Sequence, residues 1–256
     1  MLVYHYTSAA TLALILGTKN EWNINLPTFR MSHFRFMNDT SEFAKVADII
    51  AFARAQEQRY ENGSPYLIQT LEEITTLVPP YVASFSEAVD SLSQWRGYAR
   101  GPEGVAIGVD VSRVDFERRP EIVEYAPKDI AWEFEVSRCL DRLEIDHVKP
   151  TGQALAMVRQ LVKKAIRTKS NAFSEEREFR SVAFQLSPSG HYPGPFGMTP
   201  YFALDLDKAA IREVWLAPGA AASAKEGMES YLRGNGYEHV AVHRSGSSFR
   251  HGMIGS

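Results

Sequence analysis

The chain has 256 residues, 45% of them hydrophobic and 23% charged, and a formal net charge of -3 at pH 7. That length supports one large domain or two small ones with a substantial core, and the slight negative balance excludes a general polyanion coat while leaving room for a local basic groove. A single cysteine, Cys139, excludes an internal disulfide and a cysteine-rich zinc site. Met1–Tyr6 shows no secretory pattern, and no apolar stretch approaches the ~20 residues that span a bilayer, so a cytoplasmic protein is expected.

Leu2–Tyr6 reads as a strand, after which Thr7 or Ser8 caps a helix that runs to Leu16 and is ended by Gly17. Asn20–Ser32 reads as a loop and a second strand. Asp39, with Glu42 three residues on, predicts a capped helix whose buried face carries Phe43, Val46, Ala47 and Ile50. Asn62-Gly63-Ser64-Pro65 breaks it, and a further helix reaches Val78 before Pro79-Pro80. Strands are expected at Tyr81–Phe85, Val105–Val109, Ile122–Tyr125 and Phe179–Leu186, with helices over Ile130–Leu143 and Thr151–Thr168. Ser187–Pro200, with four prolines and three glycines, reads as an extended loop. Val214–Ala217 and His239–Val242 close the fold around a helix at Ala222–Leu232. The expectation is a single α+β domain over residues 1–243, helices early and strands late, with a flexible tail over 244–256.

The densest chemistry lies in Phe173-Ser174-Glu175-Glu176-Arg177-Glu178-Phe179-Arg180. In a strand Glu176, Glu178 and Arg180 share one face, and the two carboxylates repel unless a cation such as Arg180 intervenes. The bland alternative is a solvated strand end. Ser84 and Ser86 share a face of their strand and suit either a sugar or a turn cap. His5 faces away from Tyr4 and Tyr6; a core role is the commoner fate of such a histidine, a polar ligand the sharper one. Arg30, Arg35, Arg96 and Arg100 are candidate diphosphate partners because guanidinium matches phosphate bidentately. Lys163, Lys164, Arg167 and Lys169 form a basic patch that suits either a macromolecular partner or solvent. Phosphate-loop, dinucleotide-binding, nucleophile-elbow and His-Glu-x-x-His patterns are absent from the sequence, and nothing in it calls for a metal.

Taken together, Tyr4-His5-Tyr6-Thr7-Ser8, Asn38-Asp39-x-x-Glu42, Ser84-Phe85-Ser86, Trp95-x-x-Tyr98 with Gly104–Gly108, and Glu176-x-Glu178-x-Arg180 resemble a large bacterial family of domains of unknown function, as far as about Leu216. The same order resembles the ADP-ribosyltransferase superfamily, and Tyr4–Leu16 resembles the start of its DNA-targeting toxins. The resemblance implies a split β-sheet core with N-terminal and inserted helices. It implies an NAD-dependent glycosyltransferase that places ADP-ribose on a nucleic acid or protein, as a toxin or phage-defence effector with a possible antitoxin. NAD is then a co-substrate, with no metal. Glu178 holds the ribose and stabilises the oxocarbenium ion, Glu176 serves the acceptor, and His5 binds the nicotinamide side. Tyr6, Thr7, Arg30, Arg35, Ser84, Ser86 and Tyr98 complete the expected cofactor set. NAD hydrolysis, or a non-catalytic nucleotide or nucleic-acid-binding domain, are the competing readings.

Overall fold

A computed structural model describes residues 1–17, 26–37, 40–56, 59–60, 63–99, 101–126, 132–145, 152–194 and 197–247. β1 (Leu2–Ser8) leads into α1 (Ala9–Gly17), which Ser8 caps: its Oγ accepts from the Thr11 N–H at 3.1 Å. After β2 (Thr28–His33), α2 (Thr40–Ala55) and α3 (Gly63–Thr76) form a helical pair. The Asp39 cap lies outside the described residues. α2 buries Val46, Ile49 and Ala53, with Ile50 partly covered, whereas Ala47 faces out. The stripe is therefore set by the i, i+3, i+4, i+7 pattern of the larger side chains.

β3 (Pro80–Ser86), α4 (Leu92–Tyr98) and β4 (Gly104–Asp110) follow. The expected third strand is broken into β5 (Glu121–Ile122) and β6 (Glu124–Ala126). Between them buried Val123 donates its N–H to the Glu178 carbonyl at 2.8 Å. α5 (Glu133–Ile145) and α6 (Gly152–Ile166) precede β7 (Thr168–Ser170), which pairs in parallel with β6. β8 (Glu178–Phe184) follows a 3-10 turn at Asn171–Glu176. Ser187–Pro200 is no loop: β9 (Gly190–Gly194) and β10 (Gly197–Asp205) form a hairpin there. Its prolines are tolerated because β9 is an edge strand and β10 pairs with β2 only from Tyr201, after Pro200. β11 (Ile211–Leu216), α7 (Ala224–Gly234) and β12 (Ala241–Arg244) complete the chain. Beyond β12, Ser245 Oγ and the Gly246 N–H both donate to Asp90, at 2.6 and 3.0 Å, so the ordered body extends past residue 243.

Among the described residues the main sheet runs β12-β11-β4-β1-β3-β2-β10-β9, with β8 on β3 and β5 on β8. β8 pairs along the whole of β3, from Pro80↔Phe184 to Ser86↔Glu178. On the other edge of β3 two strands divide the space: β1 meets it at Tyr4↔Ser86, β2 at Val82 and Tyr81. The sheet is therefore split beside Ala83–Phe85. Alternation sorts the side chains. Val3, Ala83, Phe85, Phe179 and Ile107 face a core closed by α1 and α7. On the opposite face α2, α3, α5 and α6 cover Val82 and Val182, and α4 separately covers Tyr4, Tyr6 and Ala106. Fold class and single-domain organisation are as the sequence predicts, but helices and strands interleave rather than segregating early and late.

Candidate functional site

Between the two apolar clusters of that second face lies a buried ionic cluster. Glu178 and Arg180 project from β8 on one face, two residues apart, and pair twice: Nε to Oε1 at 2.8 Å and Nη2 to Oε2 at 2.9 Å. Lys169 of β7 donates to Glu176 Oε2 at 2.7 Å and to Glu178 Oε2 at 3.3 Å. The Glu178, Lys169 and Arg180 side chains are only 7, 5 and 1% exposed. Among the described residues two carboxylates meet two cations. Burial alone would push the Glu178 carboxyl up, but the Arg180 guanidinium, the Lys169 ammonium and a hydrogen bond from the Ser84 hydroxyl outweigh it and hold it below the usual range. Burial likewise opposes the Lys169 charge; the Glu178 and Glu176 carboxylates prevail and hold the ammonium above its ordinary value.

Local backbone features bring the two glutamates together. Glu176 ends the 3-10 turn rather than lying in β8, so strand alternation does not align it with Glu178. Arg177 between them is left-handed (φ 44°, ψ 52°), the conformation that turns the chain sharply enough for both carboxylates to reach Lys169. Such a non-glycine residue costs on the order of 1 kcal/mol. The Tyr125 hydroxyl accepts from the Glu178 N–H at 2.7 Å and fixes the start of β8.

The sheet split opens onto this cluster. Ser84 lacks a backbone neighbour on that edge, and the His5 Nδ1–H donates to its carbonyl at 3.0 Å. The ring packs against Phe29 and Phe85. Burial lowers the His5 pKa, so the imidazole is neutral at pH 7 and its Nε2 is the acceptor. His5, Arg30, Ser84, Tyr98, Lys169, Glu176, Glu178 and Arg180 all line one cavity of about 470 Å³. A smaller hollow of about 70 Å³ joins His5, Ser84, Glu176 and Glu178 to Gln94 and Tyr6. Tyr98 donates to Glu176 Oε1 at 3.4 Å, and burial together with that carboxylate pushes its hydroxyl up to about 12. Arg30 lies over the rings of Tyr192 and Tyr201.

Of the remaining expected residues, Tyr6 lines the smaller hollow and the other described ones line neither. Ser86 is buried away from the cavity, its hydroxyl donating to the Glu176 carbonyl at 2.6 Å and accepting from the Ala88 N–H at 3.0 Å. It is a brace for the turn that carries Glu176. The Tyr6 hydroxyl is engaged by the Ala88 carbonyl and the Ser91 N–H, at 2.6 and 3.2 Å. Thr7 is buried opposite Val105 in β4, and Arg35 and Arg96 line neither hollow. Arg100 lies outside the described residues. The expected basic patch dissolves: Lys164 pairs with Glu135 at 2.6 Å, Arg167 pairs with Glu121, and Lys169 turns inward. Lys169, Gln94, Phe173, Tyr125 and Tyr192 are site residues that sequence reasoning missed. One signal was available for Lys169, since two buried carboxylates call for a second cation besides Arg180.

Residues 94–181 match a family described as Protein of unknown function (DUF2971). The match runs from Gln94 through Tyr98 to Lys169, Glu176, Glu178 and Arg180, the ionic half of the site, and leaves out His5 and Ser84. No curated protein and no solved structure matches the chain. Among the described residues no helix is long and apolar enough to cross a membrane, and no group of three His, Cys, Asp or Glu is placed to hold a metal ion.

Proposed function

We propose that the protein is an NAD-dependent ADP-ribosyltransferase acting on a macromolecule, a nucleic acid or a protein. The observation that supports this reading is the convergence of His5, Ser84 and Glu178, far apart in sequence, on one cleft at the split of the sheet. Cleaving the bond between nicotinamide and ribose needs a fixed acceptor carboxylate and polar partners around one sugar. A carboxylate kept ionised by Arg180 and Lys169 has spare lone pairs for a ribose hydroxyl and sits ready to face the positive charge that develops. Nicotinamide leaves with the bonding electron pair, the acceptor attacks the ribose C1′ of the oxocarbenium ion, and the acceptor's proton passes to Glu176. Arg30, on the cavity wall, is the diphosphate partner in this reading.

A binding-only function is favoured by one specific observation: both Glu178 oxygens already accept hydrogen bonds from cations. Nicotinamide release from NAD, measured with and without RNA, DNA and cell lysate, separates the readings. Release that rises with one acceptor supports transfer, acceptor-independent release supports hydrolysis, and its absence under every condition overturns the enzyme. In Glu176→Gln, transfer should fall while slow release persists.

A further inference from the structure

A second groove, of about 690 Å³, lies along the outer edge of β8 and is lined by Phe116, Arg118, Arg119, Arg159, Lys163 and Phe184 among others. β5 covers that edge only at Phe179 and Arg180, so beyond Arg180 no strand pairs with it among the described residues. Four cations gather here in a chain whose overall charge is -3. None of the four forms an ion pair among the described residues, and the Nε atoms of Arg119 and Arg159 are buried with no hydrogen-bond partner. Burying such donors unpaired is unfavourable, so neither guanidinium is held in place by a protein partner at that atom. Of the two carboxylates that line it among the described residues, Glu121 is taken by Arg167, which leaves Glu117 opposing four positive charges. Aromatic rings accompany the cations: the Arg119 guanidinium lies over Phe116 at 5.6 Å and that of Arg159 over Phe184 at 5.7 Å. Phe116 is 83% exposed.

From this we propose that the groove binds single-stranded nucleic acid, with phosphates on Arg119, Arg159, Arg118 and Lys163 and a base stacked on Phe116. Cations interleaved with an exposed ring are what a sequence-tolerant single strand requires, whereas an acidic peptide gains nothing from a stacking platform. The assignment does not depend on NAD chemistry. It does put the polymer beside the candidate site: Val182, on the groove floor, is four residues along β8 from Glu178, about 13 Å at the strand rise.

The test is fluorescence anisotropy of the full chain, without NAD, using labelled single-stranded 12-mers of RNA and DNA of one sequence. Four phosphate contacts predict a slope of log affinity against log salt near about -3. Arg119→Glu/Arg159→Glu should weaken binding at least about tenfold and make the slope shallower by about 1.4, the share of two contacts. Lys225→Glu, at an exposed position of α7, should leave both unchanged. Phe116→Ala, at a position too exposed to threaten folding, should weaken binding about 5- to 100-fold. Unlabelled poly-glutamate should fail to compete. Absence of oligonucleotide binding by the wild type, wild-type affinity in both groove variants, or competition by poly-glutamate equal to that of the oligonucleotide overturns the proposal. Preference for RNA over DNA would assign the 2′-hydroxyl a contact within the same groove.

Discussion

Replacing Glu178 by glutamine keeps the size of the side chain and removes one charge from a cluster whose members are almost wholly buried. Glu176 remains to hold Lys169 at 2.7 Å, whereas Arg180, 1% exposed, loses the carboxylate that two of its nitrogens face. Removing one partner of a buried pair costs about 3–5 kcal/mol because the other charge cannot return to water. That is a large share of the roughly 5–15 kcal/mol that holds a domain folded, and at about 2–4 °C per kcal/mol for a chain of this size the melting temperature should fall by roughly 6–20 °C. Glu178→Gln/Arg180→Met removes both charges and should recover most of the loss, since neither charge of the pair is then left buried without the other. Urea unfolding followed by tryptophan fluorescence gives both numbers. A single variant within about 1 kcal/mol of wild type, or a double variant no better than the single, refutes the argument. Protonation gives a second signature. The folded Glu178 pKa is depressed, so its contribution is present above the unfolded carboxylate value of about 4.3 and is lost as pH falls through the folded value. Wild-type stability should therefore fall along an acid limb that is flatter in Glu178→Gln. To test the proposed transferase, nicotinamide release is measured well below the variant's unfolding midpoint, where a loss reports the missing charge rather than a melted site.

Two further outcomes follow from burial elsewhere. Ser86→Ala removes a hydroxyl that donates to the Glu176 carbonyl and accepts from the Ala88 N–H; thermal unfolding should show a loss of about 1–3 kcal/mol, and, if the proposed NAD site is correct, NAD affinity should be unchanged because Ser86 does not line the cavity. An equal loss of NAD affinity would return it to the binding set. Cys139 is 8% exposed, and burial pushes its thiol up to about 11, so a thiol reagent at pH 8 should label it slowly when folded and fully in urea. Rapid labelling of the folded protein would contradict its burial.

Local features are legible in the chain itself. Apolar runs placed β3 and β4, alternation placed the core of β8, and Ser8 and Gly17 bounded α1, because strand period and capping act within a few residues. The proline-rich hairpin was misread because a proline's tolerance depends on whether its strand lies at a sheet edge, a fact decided by partners distant in the chain. The site divides in the same way. Glu178, Arg180, Ser84 and His5 stood out as residue types in suggestive patterns, yet nothing local says that β1 and β2 part beside Ser84 and leave His5 to satisfy its carbonyl. Lys169 follows a basic helix and reads as one more surface cation. Only the parallel pairing of β7 with β6, which turns it beneath the two glutamates, makes it the second counter-charge of a buried cluster. Which charges must be neutralised is visible in a sequence; which charge does so depends on which strands meet.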